Sequence, residues 1–224
     1  YLIVCVDNLW DATLAPRGGE HQFNGGIYRD MQLILTAYDY IERRWCVCTN
    51  DTVKEGKRQL ACRVKNWDAG TCIGKSDLSE FDSNMLETCI CEGKEVLARS
   101  VEPLVMGNSE ICQSISLTGI TPWSPDTPKL YIVVSRVLCN GIECDCVRTS
   151  VGIRTVRFDK DEGFFLNGEH FSILGANVHQ DHAGWADAVT RSGIRRDIQM
   201  IKECGMNTIR GSHYPHHPYF AQVC

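Results

Sequence analysis

The chain lacks any long apolar run. None approaches the roughly 18 residues that a membrane-spanning helix needs, so a helical membrane protein is excluded. It also lacks an excess of positive charge. The net charge of −5 argues against a nucleic-acid binder, which would present a basic surface to phosphates. No signal-peptide pattern opens the chain, and there is no internal repeat and no low-complexity segment. What is present is ordinary for a globular protein: 224 residues, 43% hydrophobic and 23% charged. That length holds one or two domains with a sizeable core.

Cysteine is the exception to this plainness, with thirteen in the chain. Three pairs are spaced C-x-C: Cys46/Cys48, Cys89/Cys91 and Cys144/Cys146. Zinc sites more often use C-x₂₋₄-C. An odd count in a chain this long also fits poorly with a disulfide framework. Residues two apart on a strand share a face. In "GIECDCV" this puts Ile142, Cys144 and Cys146 on one side and Glu143 and Asp145 on the other. The cysteines are therefore expected to be buried free thiols, small apolar residues in effect. That favours a reducing compartment such as the cytoplasm. A start lying upstream of Tyr1 leaves periplasm or secretion as the alternative. The sequon Asn50-Asp51-Thr52 is read as a chance match.

Residues 1 to about 159 read as all-β. The runs "YLIVCV", "MQLILTAY", "RRWCVC", "RQLACRVKNW", "MLETCIC", "KEVLARSV", "ICQSISL", "KLYIVVSRVL", "IECDCVRT" and "IRTVRF" are rich in strand formers. Turn-forming clusters such as "FNGG", "NGI" and "SPDTP" separate them. Short strands at regular spacing predict a β-sandwich. Pro122, Pro125 and Pro128 mark a loop that leads into a strand.

The pattern changes after Asp159. Asn167-Gly168 suits a type I′ hairpin, whose two central residues both need positive φ. In "TRSGIRRDIQMIKECGMN" the period becomes helical, with Ile194, Ile198 and Ile201 on one stripe. Thr190 or Ser192 can cap the start, and Gly205 sits where a helix-ending glycine belongs. "MNTIRGS" reads as a strand and "HPYFAQVC" as the opening of a helix. Alternating strands and helices imply a parallel sheet, in which ligands gather at the carboxyl ends of the strands. Five of the seven histidines fall in "GANVHQDHAGW" and "RGSHYPHHPYF". His179 follows one strand, and Arg210, Ser212 and His213 end or follow the next. The polar groups are thus expected on one rim. A full (β/α)₈ barrel takes about 250 residues. Only 54 run from Phe171 to Cys224, so the chain is expected to be part of a larger protein.

Five motifs then fall into a familiar order: "FNGGIYRD" (23–30), "WSPDTPKLY" (123–131), "GIRTVRF" (152–158), "LNGEHFSILGANVHQDH" (166–182) and "GMNTIRGSHYPHHP" (205–218). Together they resemble glycoside hydrolase family 2, which holds β-galactosidases, β-glucuronidases and β-mannosidases. The resemblance implies a multidomain β plus α/β protein. Residues 1–35 would be the last strands of a jelly-roll sugar-binding domain. Residues 36–158 would be an immunoglobulin-like β-sandwich, and 159–224 the first two units of a (β/α)₈ TIM barrel.

It also implies a retaining glycosidase, most like a β-galactosidase, acting on a carbohydrate β-glycoside. Retention needs two carboxyls about 5–5.5 Å apart. In the family both are glutamates on later barrel strands, expected beyond Cys224, so the chain alone is expected to be inactive. The substrate-binding residues that carry over are His179 and His213, for sugar hydroxyls; Arg210, beside the nucleophile carboxylate; Asp181, supporting His179 or touching sugar; and Glu20, where the family often has an aspartate. Val178 departs from an arginine common at its position, and Glu20 is a methylene longer than aspartate. His182, His216 and His217 are read as structural or surface residues.

No cofactor, metal, nucleic-acid or membrane partner is implied, and a homo-oligomer is compatible with the sequence. Two alternatives stand beside this reading. One is a non-catalytic carbohydrate-binding or interaction sandwich. The other is a metallohydrolase using "HQDH" and "HYPHH", although barrel metallohydrolases usually place His-x-His on the first strand.

Overall fold

A computed structural model describes residues 3–7, 9, 13, 25–36, 40–41, 48–54, 57–64, 84–104 and 111–224. The chain divides into two compact units. One joins Tyr1–Leu33 to Ser172–Cys224, and the other runs Ile34–Phe171.

The second unit is built on two antiparallel sheets. β1 (Cys48–Lys54), β2 (Lys57–Val64) and β5 (Ile111–Leu117) form one, in the order β1-β2-β5. β3 (Met85–Glu92), β4 (Glu95–Pro103), β6 (Tyr131–Cys139) and β7 (Ile142–Val151) form the other, in the order β4-β3-β6-β7. Alternation supplies the core between them. Ile90 of β3 and Tyr131 and Val133 of β6 meet Ile115 and Leu117 of β5, with Ile153 closing the cluster. Ile41, Leu86 and Val137 form a second buried group. Polar groups inside make hydrogen bonds, although the Gln113 Oε1 is left without a partner. The Thr88 and Ser135 hydroxyls lie 3.3 Å apart, and Gln113 donates to the Leu86 carbonyl at 3.1 Å. This is the sandwich expected from the spacing of short strands.

On the opposite face of β3, Glu87 sits between two arginines from neighbouring strands. Arg136, its register partner on β6, donates at 2.7 Å, and Arg99 of β4 also pairs with it. Burial works against ionisation of this carboxyl, but the two cations outweigh it and hold Glu87 below its ordinary range.

Three expectations need correction. The described parts of "YLIVCV" (3–6) and "MQLILTAY" (31–36) carry no strand. A β-prone run becomes a strand only when a neighbour completes its ladder, and no described residue pairs with these. Ile142 is 71% exposed rather than turned inward. The cause is a bulge. Val137 pairs with Asp145 but Leu138 pairs with Glu143, leaving Cys144 as the extra residue. One inserted residue reverses the alternation on its far side. The cysteines are not uniformly free. Cys139 and Cys144 form a disulfide across the hairpin turned by Asn140-Gly141, at a Cα–Cα distance of 6.1 Å. Cys89 is a buried thiol, while Cys5, Cys204 and Cys224 are exposed.

β8 (Val156–Asp159), β9 (Gly163–Leu166) and β10 (Glu169–His170) make a small antiparallel sheet. Asn167 and Gly168 turn its hairpin at φ 54° and 88°, the positive pair a type I′ turn requires. The Asn167 side chain also donates to the Trp123 carbonyl at 3.0 Å, anchoring the proline-marked loop.

In the first unit, β11 (Gly175–Val178) and β12 (Thr208–Gly211) are parallel and are joined through α1 (Arg191–Glu203). Thr190 caps α1 by accepting from the Gly193 N–H at 3.2 Å. At its other end Gly205 adopts φ 79°, with Met206 N–H to Ile201 carbonyl and Gly205 N–H to Lys202 carbonyl. Those two bonds are a Schellman closure. Ile194 and Ile198 are buried. α2 (Pro218–Val223) starts on His217, whose Nδ1 accepts from the Tyr219 N–H at 3.0 Å. Gly175 lies so close to the Thr208 carbonyl that no side chain fits there. Among the described residues, no helix is long and apolar enough to cross a membrane.

Candidate functional site

The register of the parallel pair positions the site. Asn177 lies opposite Arg210 and Val178 opposite Gly211. The Ser212 N–H then donates to the Val178 carbonyl at 2.9 Å, extending the ladder one step past both strands. His179 and His213 therefore leave adjacent strands at the same level. Their rings meet edge to face, with centroids 5.2 Å apart.

Arg210 fixes the second imidazole. Its guanidinium reaches His213 Nδ1 at 3.1 Å and Ser212 Oγ at 2.8 Å. A guanidinium only donates, so Nδ1 must accept and the His213 proton sits on Nε2. The result is a neutral imidazole with an N–H donor on its far edge, beside a fixed cation. Ser212, which anchors the arginine, is fully buried, and the Ser212–His213 peptide is cis. Such a set can hydrogen-bond hydroxyl groups and keep a nearby carboxylate ionised.

Of the five residues expected at the site, the structure gathers His179, His213 and Arg210. Asp181 is exposed on the next loop, where with His179, Asn177, Asp197 and Met200 it lines an open cleft of about 580 Å³ between β11 and α1. Glu20 lies outside the described residues.

The other three histidines are occupied with local packing. His182 lies against Trp185, with Asp197 at 3.9 Å. His216 stacks on Tyr214 and touches Phe220. Burial pushes its imidazole below the ordinary value, and the nearby Arg29 cation acts in the same direction. His217 caps α2 and lies 3.6 Å from Asp30. Among the described residues, no group of three or more His, Cys, Asp or Glu could hold a metal ion.

Sequence reasoning missed the groups behind the histidines. Gln180, 4% exposed, accepts from Arg29 at 2.6 Å. Its main-chain N–H donates to the Tyr214 hydroxyl at 2.9 Å, and the Tyr214 ring lies against His179. Burial pushes the Tyr214 hydroxyl's pKa up. Arg29 and Tyr214 both sit inside motifs that carried the resemblance, and that was the available signal.

Comparison with known proteins identifies the family. The sequence profile "Glycosyl hydrolases family 2" matches residues 46–154, and "Glycosyl hydrolases family 2, TIM barrel domain" matches 157–224. A β-galactosidase from Bacteroides ovatus is 32% identical over the whole chain, which covers 25% of that protein. A β-glucuronidase from Bacteroides fragilis is 27% identical over 97% of the chain and 31% of its own length. Among solved structures, the β-glucuronidase of Bacteroides uniformis superposes with a TM-score of 0.79 at 29% identity, over 98% of this chain and 26% of that one. A family 2 member from Bacteroides cellulosilyticus gives a TM-score of 0.78 at 26% identity, over 90% of this chain and 26% of that one. The chain thus spans about a quarter to a third of the length of these curated relatives. Its β-sandwich, followed by the start of a TIM barrel, belongs to glycoside hydrolase family 2.

Proposed function

We propose that this chain is the substrate-gripping part of a retaining β-glycosidase that hydrolyses O-glycosidic bonds, most like a β-galactosidase. The observation that carries the reading is the grouping of His179, His213 and Arg210 at the carboxyl ends of two adjacent parallel strands. That is where barrel enzymes place their chemistry. In this reading residues 1–35 end a jelly roll, 36–158 form an immunoglobulin-like sandwich, and 159–224 open the barrel.

Each role follows from the chemistry of the group. His179 and His213 present imidazole edges to sugar hydroxyls, and Asp181 stands on the same rim. Arg210 keeps the nucleophile carboxylate charged, as an adjacent cation must if the carboxylate is to attack the anomeric carbon. The two glutamates come from later strands. The arginine beside His213 also disfavours a divalent cation there, which supports the glycosidase over the metallohydrolase reading. The names of the relatives include both β-galactosidase and β-glucuronidase, so the sugar itself is not singled out.

The test is kinetic. In the enzyme that carries this sequence, His213→Ala should lower kcat/KM by about 10–10²-fold, since losing one partner of a hydrogen bond to the sugar costs about 1–3 kcal/mol. An unchanged kcat/KM would remove His213 from the site.

A further inference from the structure

We propose that Arg29 is a positioning residue that sets the tilt of His213 against His179, acting through Gln180 and Tyr214. For what the two imidazoles hold, this rests on the glycosidase reading above. Arg29 is far from them in sequence, in the segment 25–33 that ends the N-terminal part of the same compact unit.

The path consists of short, directed contacts. The Arg29 guanidinium donates to Gln180 Oε1 at 2.6 Å, and Gln180 is almost wholly buried. A charged donor on a buried amide oxygen makes one of the stronger hydrogen bonds in a protein. It fixes the Gln180 side chain and, with it, the direction of the Gln180 main-chain N–H. That N–H donates to the Tyr214 hydroxyl at 2.9 Å. The Tyr214 ring is then held from three sides: by this bond, by stacking on His216 with centroids 5.4 Å apart, and by edge contact with His179 at 6.3 Å. Tyr214 directly follows His213, so its ring position constrains the peptide that carries the second imidazole. Gln180 directly follows His179 and constrains the first. One arginine therefore governs the residues next to both histidines.

The segment has a second attachment that the proposal does not need. Asp30 lies 3.2 Å from Arg191 and 3.6 Å from His217, at the start of the two helices rather than on Gln180. This separates two roles. Simple docking of the segment would depend on Asp30 and Arg29 alike, whereas positioning of His213 depends on Arg29.

The test is nuclear magnetic resonance on the full chain with labelled histidine rings, reading the cross-relaxation between the ring protons of His179 and His213. Arg29→Ala should abolish it, and Arg29→Lys, which restores a cationic donor to Gln180, should bring it back. Tyr214→Phe, which removes only the hydroxyl, should abolish it as well. Arg191→Ala should leave it intact. Amide signals of α1 report in every variant that the unit is folded. If the cross-relaxation survives in Arg29→Ala or Tyr214→Phe with α1 folded, the proposal is overturned. Equal loss in Arg191→Ala would also overturn it, by making Arg29 one docking contact among several. The readout uses neither sugar nor turnover, so a failure here leaves the glycosidase reading standing. A failure of sugar recognition would likewise leave this linkage intact.

Discussion

The sandwich and the tail hold themselves together by different means. In the sandwich, apolar side chains of β3, β5 and β6 fill the core, and the few polar side chains inside bond to one another or to the main chain. In the tail, Ile194 and Ile198 supply the buried apolar stripe, while Ser212 and Gln180 are buried polar groups held by directed hydrogen bonds. An apolar core is forgiving of sequence as long as volume is kept. A polar network is not, because each broken bond strands a buried partner. Single polar substitutions in the tail should therefore disturb the geometry of the proposed site as well as its local stability.

Four substitutions, with Ser192→Ala as a control, should sharpen or break that contrast. The largest effect is expected in the sandwich core. Leu86→Ala should cost about 2–5 kcal/mol in urea unfolding, from lost burial and the cavity left behind. The ring signals of His179 and His213 should not move below the transition, and their early loss would show that the two regions are not separable. Glu87→Gln should cost about 1–3 kcal/mol at neutral pH, by leaving two arginines without their carboxylate. The Glu87 carboxyl titrates lower folded than unfolded. Its contribution is therefore complete above the ordinary value of 4.5 and is lost as pH falls below it. Unfolding midpoints across that window should fall for the unsubstituted chain and less steeply for Glu87→Gln.

In the tail, Thr190→Ala should cost about 1 kcal/mol as the cap of α1 is lost, read by faster amide exchange in its first turn. Ser192→Ala should change little, since Thr190 is the capping side chain. The smallest effect concerns His216. Its imidazole is depressed below 6.5 by burial, so the unfolded chain takes the proton first. Stability from this group is complete above 6.5 and declines as pH drops towards the folded value. His216→Phe should flatten that slope in the tail's exchange rates, and an unchanged slope would place the acid sensitivity elsewhere.

Much of this structure was legible in the sequence where local rules decide it. The strand at 111–117, the Asn167-Gly168 turn, the Thr190 cap and the Gly205 helix end were all visible. Ile142 was misread because a bulge depends on how two strands align, which a single strand's pattern does not contain. The Cys139–Cys144 bond was not legible because it depends on how β6 and β7 align across a bulged hairpin, which neither strand's pattern contains. The histidines were legible as a rim because both follow predicted strands. The Arg29–Gln180–Tyr214 path was not, because Arg29 and Gln180 stand 151 residues apart and meet only on folding.

The central claim is that His179, His213 and Arg210 form one sugar-binding rim. The most direct measurement is a titration of the histidine- and arginine-labelled chain with a methyl β-glycoside, followed by nuclear magnetic resonance. The account predicts that the three side chains shift together and saturate at a common concentration, while Arg99 and Arg136 of the sandwich stay fixed. Shifts in the sandwich alone, or no saturable response at His179 and His213, would contradict it.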